Sequence, residues 1–330
     1  MRHVAKVAGV GIKTVSRVMN DEPDVSEATR QRVLDASLRL NYQLDMVAGS
    51  LRRPGRQTLS IGLLLPRVAN PFSSRLHRAI ENALTPRGIA VFAASMDDDP
   101  DREKALVAAF LGRRVDGLVL TPIARSQIHT IPEHSRALPM VFIEREPLGI
   151  DADAVVTNNA VAAAHAASHL LAHGHTRLAY LGDRADIQGE RRRGFTGELE
   201  RAGLYTYRIP VREGLHNEES ARQAALELLG GNEPPTAFFS SQHFITFGVI
   251  RALKELRLSR KVALVGFDDF ALADMMDPGV TVIAQHPERI GKVAAERLLA
   301  RIDGDDRAPE TYVVPSELIE RGSGELSPAP

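Results

Sequence analysis

No cysteine occurs among the 330 residues. That excludes disulfides, thiolate metal ligands and a cysteine nucleophile, and it fits a reducing compartment. No apolar run reaches the roughly 18 residues that cross a bilayer. The opening MRHVAKVAGVGIK lacks an apolar stretch of signal-peptide length. The expectation is a soluble cytoplasmic protein with no membrane partner. Overall charge marks no polyanion ligand either, since the formal net charge is −1. Its distribution, however, is uneven. Residues 1–56 hold ten Lys/Arg against six Asp/Glu, a net of +4, and the remainder is correspondingly acidic. A basic first sixth on an acidic body suggests a small anion-binding module joined to something else.

A hydrophobic content of 44% is enough for two or three domains with sizeable cores. Up to about residue 40 the apolar spacing is that of short helices. HVAKVAG (3–9) ends at a glycine suited to a tight turn, Ile12, Val15, Val18 and Met19 share one helix face, and Ser26 can cap a third helix over 27–40. Val33, Leu34, Ser37, Leu38 and Leu40 are read as the apolar side of that helix. A linker follows, punctuated by Pro54-Gly55. From Leu59 onward short apolar runs alternate with helical patterns. SIGLLLP (60–66), AVFAAS (90–95), DGLVLTP (116–122), PMVFIE (139–144), VVTN (155–158), LAYLGD (178–183), TAFFSS (236–241), VALVGFD (262–268) and YVVP (312–315) read as strands. Helices are expected over 73–87, 101–113, 159–173, 190–202, 243–257 and 287–302. Such alternation implies parallel, doubly wound sheets covered on both faces, and its length implies two lobes. Ligands of such sheets sit at the carboxyl ends of the strands.

The stretch GVGIKTVSRVMN (9–20) carries three readings. A phosphate loop needs Gly-x-x-x-x-Gly-Lys-Ser/Thr after a strand, but Ile12 separates Gly11 from Lys13 and a helix precedes. A helix that reads DNA needs a preceding helix, a tight turn, an apolar inner face and a basic, polar outer face. Ala5 and Ala8 allow close approach, Gly9 makes the turn, Val10 plugs the core, and Lys13, Thr14, Ser16, Arg17 and Asn20 remain outside. The third reading is a solvated face on a small helical domain. Spacing alone favours the second over the third without excluding it.

VAKVAGVGIKTVSRVMN and VSEATRQRVLDASLRLNYQ resemble the headpiece of the lactose-repressor (LacI/GalR) family of transcription regulators. The resemblance runs on through NPF (70–72), RRVDGLVL (113–120), HLLAHGHTRLAYLGD (169–183), RRRGF (191–195), LVGFDD (264–269) and LIERGS (318–323). It implies a small all-α helix-turn-helix headpiece over 1–44, a hinge helix and linker over 45–57, and a body over 58–330. The body would be a two-lobed α/β unit resembling type I periplasmic sugar-binding proteins. Its first lobe would take 58–156 and 286–312, and its second 157–285 and 313–325. The implied function is a ligand-responsive regulator, read as a repressor. It would bind a near-palindromic double-stranded operator as a homodimer, under the control of a small polar effector, a sugar being favoured.

Carried over by position, Ile12, Lys13 and Arg17 match base-reading places, and Gly11, Thr14, Ser16 and Asn20 match phosphate-contacting places. Serine is usual where Gly11 stands, so a cap hydroxyl is missing. Leu51 matches the leucine that wedges into the minor groove, with Ala48 its small neighbour. Leu44 and Gly49 depart from the usual proline and arginine. Residues that normally precede His3 are absent, so the natural start is expected upstream. In the cleft the resemblance implies Phe72, Ser73, Glu144, Arg191 and Asp268 as effector contacts, joined by Gln242. An arginine with carboxylates makes a reasonable polar cradle, although Asp268 as a helix cap and Arg191 as a surface ion pair are the plain alternatives. Gln242-His243 replaces a common Asn-Asp pair, so no particular sugar transfers from a relative.

His165, His169, His173 and His175 have spacing that can chelate zinc, but no carboxylate lies on that face, and neither metal nor cofactor is expected. No nucleophile–base pair stands out, and an enzyme is not expected. A solute-binding protein and an enzyme on the same frame remain the rival readings. The tail GSGELSPAP has no heptad pattern, which favours a dimer over a tetramer.

Overall fold

The computed structural model describes residues 1–19, 22–42, 57–124, 126–130, 138–183 and 185–328. The chain separates into two units, Met1–Thr58 and Leu59–Pro330. Helices α1 (Arg2–Ala8), α2 (Ile12–Met19) and α3 (Glu27–Arg39) form the first. Val4, Ala5 and Ala8 of α1, Val15 and Val18 of α2, and Val33 and Ala36 of α3 make its single core. On each helix these positions recur every three or four residues, which places them on one face. Gly9 adopts φ 65°, a left-handed cap that a side chain would resist. The turn closes as the Val10 N–H donates to the Ala5 carbonyl at 3.0 Å.

Two expectations change in this unit. Ser26 does stand before α3, but its hydroxyl donates to the Thr29 hydroxyl at 3.0 Å and caps no backbone N–H. The inward face of α3 is Val33, Ala36 and Ser37, whereas Leu38 is 80% exposed and Leu34 and Leu40 are partly exposed. Leu34 and Leu38 lie about 100° and 140° round the helix from Val33. Two short partner helices can cover only one narrow stripe of α3.

The second unit carries two six-stranded sheets. The first contains β1 (Ser60–Leu65), β2 (Ala90–Ser95), β3 (Gly117–Leu120), β4 (Met140–Ile143), β5 (Asp153–Thr157) and β11 (Thr311–Val314), in the order β11-β5-β4-β3-β1-β2. The second contains β6 (Leu178–Leu181), β7 (Val211–Arg212), β8 (Ala237–Ser240), β9 (Ala263–Phe267), β10 (Thr281–Ala284) and β12 (Glu317–Ile319), in the order β12-β10-β9-β8-β6-β7. Of the strand pairs, β10–β12 is antiparallel and the others are parallel. Helices α4 (Pro71–Leu84), α5 (Pro100–Gly112) and α10 (Pro287–Ile302) accompany the first sheet, and α6 (Asn159–Ala172), α7 (Ala185–Arg201), α8 (Glu218–Leu229) and α9 (His243–Glu255) the second. Coverage on both faces explains the unbroken apolar runs: every residue of β1, β3, β6, β8, β9 and β10 is buried. The edge strands β2, β7, β11 and β12 carry exposed residues instead, and Phe92 of β2 is 53% exposed.

The chain crosses from the first sheet to the second after β5, back after β10, and over again after β11. The last crossing follows Val314, not residue 312, because all four residues of β11 stay in register with β5, from Thr311 opposite Ala154 to Val314 opposite Thr157. Helix α10 rejoins the first lobe through Ile290, Ala294, Ala295 and Leu298. It crosses α4 where a Cβ on Gly291 would stand 2.8 Å from the Leu76 carbonyl oxygen, an approach that only glycine permits. Sequence periodicity misses α8, β7, β10 and β12. Helix α8 buries mostly alanines (Ala221, Ala224, Ala225) and so gives a weak apolar signal, although Asn217 and Ser220 form a capping box at its start. The three strands span only two to four residues.

Asp153 fastens the returning segment. Its carboxylate, 1% exposed, accepts from Arg301 Nε at 2.8 Å, Arg297 Nη2 at 3.2 Å and the Glu310 N–H at 2.9 Å, which ties β5 to α10 and to the approach of β11. Burial alone would raise this carboxyl. The Arg301 and Glu310 hydrogen bonds and the Arg297 charge more than offset that effect and hold it below the usual range. Removing one partner of a buried ion pair leaves the other uncompensated, so Asp153→Ala should cost about 3 kcal/mol at pH 7 in urea unfolding. A depressed pKa confers stability above the ordinary value of 3.8 that is lost as pH falls. The deficit should therefore narrow in acid, where the wild type loses the same charge.

Candidate functional site

On α2 the Gly11 carbonyl accepts the Val15 N–H at 3.1 Å, so Gly11 occupies the N-cap position. A Cβ there would meet only Thr14 Oγ1, at 4.0 Å. Serine would fit, and glycine simply supplies no cap hydroxyl. Val15 and Val18 turn into the core, Ile12, Lys13 and Arg17 are exposed, and Thr14 and Ser16 are half-buried. Lys13 and Arg17 stand one turn apart on the outer face. Arg17 Nε lies 3.8 Å from Glu22, with both side chains about half exposed. Such a screened pair is worth well under 1 kcal/mol, so the guanidinium stays available. Asn20, Ala48 and Leu51, and the expected hinge helix and linker up to residue 56, lie outside the described residues.

In the second unit the carboxyl ends of the strands carry the polar groups. Asn70 opens α4: its side chain accepts the Phe72 N–H at 2.9 Å and Pro71 fills the first helical position. The NPF motif is thus a helix-start device. Phe72 and Ser73 are 8% and 2% exposed, and Phe72 packs into the first-lobe core. Both are less accessible than cleft walls would be. Glu144 follows β4 and Asp268 follows β9, with φ 65° and 75°. Left-handed backbone at residues with a side chain costs on the order of 1 kcal/mol or more and gathers at functional positions. Glu144 Oε1 accepts the Thr121 hydroxyl at 3.0 Å. Asp268 Oδ1 accepts Gln285 Nε2 at 2.6 Å, and Gln285 Oε1 accepts the Thr157 hydroxyl at 2.7 Å.

Arg191 reaches in from α7. Its Nε donates to Asn159 Oδ1 at 2.7 Å, its Nη1 to the Ser241 carbonyl at 2.6 Å, and its guanidinium lies 3.5 Å from the centroid of the Phe267 ring. Burial lowers its pKa, and the charges of Asp268 and Glu144 oppose that shift. It is a buried cation and not a surface ion pair. Glu144 is raised by burial, pulled down by Arg145 and the Thr121 bond, and pushed up again by Asp268. The structure therefore brings Glu144, Arg191 and Asp268 within electrostatic range. Gln242, the N-cap residue of α9, faces Asp183 instead, with Nε2 3.3 Å from Oδ2.

Sequence reasoning did not single out Arg67, Arg145 or Gln285. Arg145 Nη1 donates to the Pro122 carbonyl at 2.9 Å; burial lowers its pKa, against the charges of Glu144, Asp98, Asp183 and Glu103. Arg67 pairs with Asp98 at 3.1 Å and reaches the His216 carbonyl across the gap at 3.4 Å. The first two signals were available, as a charged residue just beyond an apolar run in PRV and in ERE. Gln285 shows no such pattern.

The four histidines do not converge on one point. His169 Nε2 lies 2.6 Å from Glu325, His175 sits between the Thr236 hydroxyl (2.9 Å) and the Leu326 carbonyl (2.7 Å), and His165 is exposed. His169 and His175 fasten the carboxyl-terminal segment. Among the described residues no group of three His, Asp or Glu could hold a metal, and no helix is long and apolar enough to cross a membrane.

A carboxyl raised by burial stabilises the fold only while protonated and loses that contribution as pH rises through its folded pKa. Glu144→Gln should therefore raise the melting temperature at pH 8. The gain should shrink toward pH 4.5, the ordinary value. A melting temperature that is unchanged or lower at pH 8 would contradict this account.

Comparison with known proteins agrees with both units. Residues 1–45 match the model for bacterial regulatory proteins of the lacI family, and residues 167–324 match the periplasmic binding protein-like domain. The HTH-type transcriptional repressor PurR of Aliivibrio fischeri is 31% identical over 330 residues, covering 98% of this chain and 97% of the relative. The ribose operon repressor of Escherichia coli K12 is 31% identical over 328 residues, covering 98% and 99%. The crystal structure of the lac repressor dimer bound to operator and the anti-inducer ONPF superposes with a TM-score of 0.85 at 26% identity, covering 97% of each chain. The chain belongs to the LacI family of bacterial regulatory proteins.

Proposed function

We propose that the protein is a transcriptional repressor that binds a near-palindromic operator as a homodimer in the cytoplasm and is controlled by a small polar effector, a sugar or sugar derivative, held between the lobes. The division into a headpiece (1–44), a hinge (45–57) and a body (58–330) belongs to this reading. The carrying observation is the outer face of α2, where exposed Lys13 and Arg17 stand beside Ile12 on a unit of net positive charge. Arginine and lysine pair with guanine edges in the major groove, while Gly11, Thr14, Ser16 and Asn20 would hold phosphates and Leu51, beside Ala48, would wedge the minor groove. The relatives named above are repressors, and the lac repressor structure is a dimer on operator. An exposed apolar edge strand is a ready pairing surface, and β2 with Phe92 supplies one.

In the cleft, Arg191 offers donors, Asp268 and Glu144 offer acceptors, and Gln242 stands at the mouth of α9. Phe72 and Ser73 contribute only as far as lobe movement exposes them. An effector shifts the protein between DNA-competent and incompetent forms solely through different affinity for the two.

Footprinting against genomic fragments tests the reading. Arg17→Ala should weaken the specific site by about 10- to 100-fold while non-specific binding persists. Lys13→Ala should weaken it and relax base preference, and wild-type affinity should fall steeply with salt. An unchanged footprint for Arg17→Ala sinks the assignment of that residue, and the absence of any DNA binding sinks the whole reading. Phe92→Glu should shift the sedimentation coefficient from dimer toward monomer and weaken operator binding with it.

A further inference from the structure

We propose that His243 is an effector-contacting residue of the cleft, hydrogen-bonding a hydroxyl of an uncharged sugar through its unpaired Nδ1. This rests on the effector-cleft reading above and specifies what that cleft selects.

His243 is the first residue of α9. Its ring stands edge-on to Phe244 and Phe247, with centroids 5.9 and 5.8 Å away, so one side is walled by aromatic carbon. Its Nδ1 is buried and has no hydrogen-bond partner among the described residues. Native interiors avoid such orphaned polar atoms, and each one needs an explanation. An absent ligand is one. The charged groups that face the ring come from both lobes: Asp268 from the end of β9, and Arg67 from the loop between β1 and α4. The ring is thus within electrostatic reach of groups from both lobes. Burial lowers its pKa, with Asp268 pulling up and Arg67 pushing down, and a helix amino terminus also disfavours a cation. The group is therefore a neutral imidazole, able to bond a hydroxyl but poorly suited to an anion.

The surrounding charges agree. Arg67 is paired with Asp98, Arg145 lies beside Glu144, and Arg191 answers Asp268. Asp183 adds a fourth carboxylate near Gln242. Among the described residues each of these three guanidinium groups is already matched by an acid, which favours an uncharged ligand over a phosphate or carboxylate.

The test uses the full chain and a panel of unphosphorylated pentoses, hexoses and disaccharides, their phosphate esters, and purine bases. A neutral sugar should raise the melting temperature, and its phosphate ester should bind more weakly. For the tightest sugar, titration calorimetry should show His243→Phe weakened about tenfold at pH 7.5, the loss expected when a binding hydrogen bond is left unmade. His243→Asn should recover part of that affinity. As pH drops below the ordinary imidazole value of 6.5, wild-type affinity should fall more steeply than that of the Phe variant. Melting of the ligand-free variants near the wild-type temperature would show that they fold. The proposal is overturned if both variants bind within twofold of wild type, if phosphate esters or purines bind in place of neutral sugars, or if no sugar binds. Asp268→Asn separates the two levels. If it abolishes binding while the His243 variants do not, only the His243 contact fails. If it too leaves binding unchanged, the cleft reading fails with it.

Discussion

A guanidinium leaves water only when its N–H groups and its charge are answered, and Arg191 imposes that demand on the centre of the body. From α7 it engages the side chain at the start of α6, a carbonyl at the end of β8 and the ring of Phe267 at the end of β9. Three elements of the second lobe are registered against one planar group. Its charge joins that of Arg145 in opposing the upward shift that burial imposes on Glu144. The left-handed backbone at those two acids is the local cost of placing them just beyond their strands. The candidate cleft is thus organised by interactions internal to the protein, and its polar groups are oriented before any ligand arrives.

The same acid connects the cleft to the crossings. Thr157 closes β5 at the first crossing, and Gln285 follows β10 at the second. Their side chains bond each other, and Gln285 bonds Asp268. A ligand that draws on Asp268 therefore competes with, or reinforces, a hydrogen-bonded chain spanning two of the three connections between lobes. Were Asp268 an effector contact, as proposed, this chain would link occupancy to lobe geometry over a span short enough for double-mutant cycles.

Much of the fold was legible because parallel strands buried on both faces must read as continuous apolar runs, and SIGLLL, GLVL and ALVGF do. The headpiece turn was legible because Gly9 takes a conformation that favours glycine. Where the signal failed, the cause is physical. Helix α8 packs through alanines, β12 has three residues on a sheet edge, and Leu34 and Leu38 look like core although two short partners leave them uncovered. In the cleft, the residue types at the strand ends announced a polar site. Which acids share a guanidinium, and that Gln285 joins them from 128 positions beyond Thr157, depends on pairings between elements far apart in the chain. Periodicity carries no information about those.

The three crossings also constrain how such a molecule changes over generations. Neither lobe is a contiguous stretch of gene: each is assembled from segments separated by the other, and α10 and β11 return to complete the first. A single recombination event within the body yields an incomplete sheet on both sides of the break. The unit ending at Thr58 is contiguous, and one exchange at that point transfers it whole. What the protein reads and what it answers to are therefore free to be reshuffled against each other, while the two halves of the sensor are inherited together or not at all.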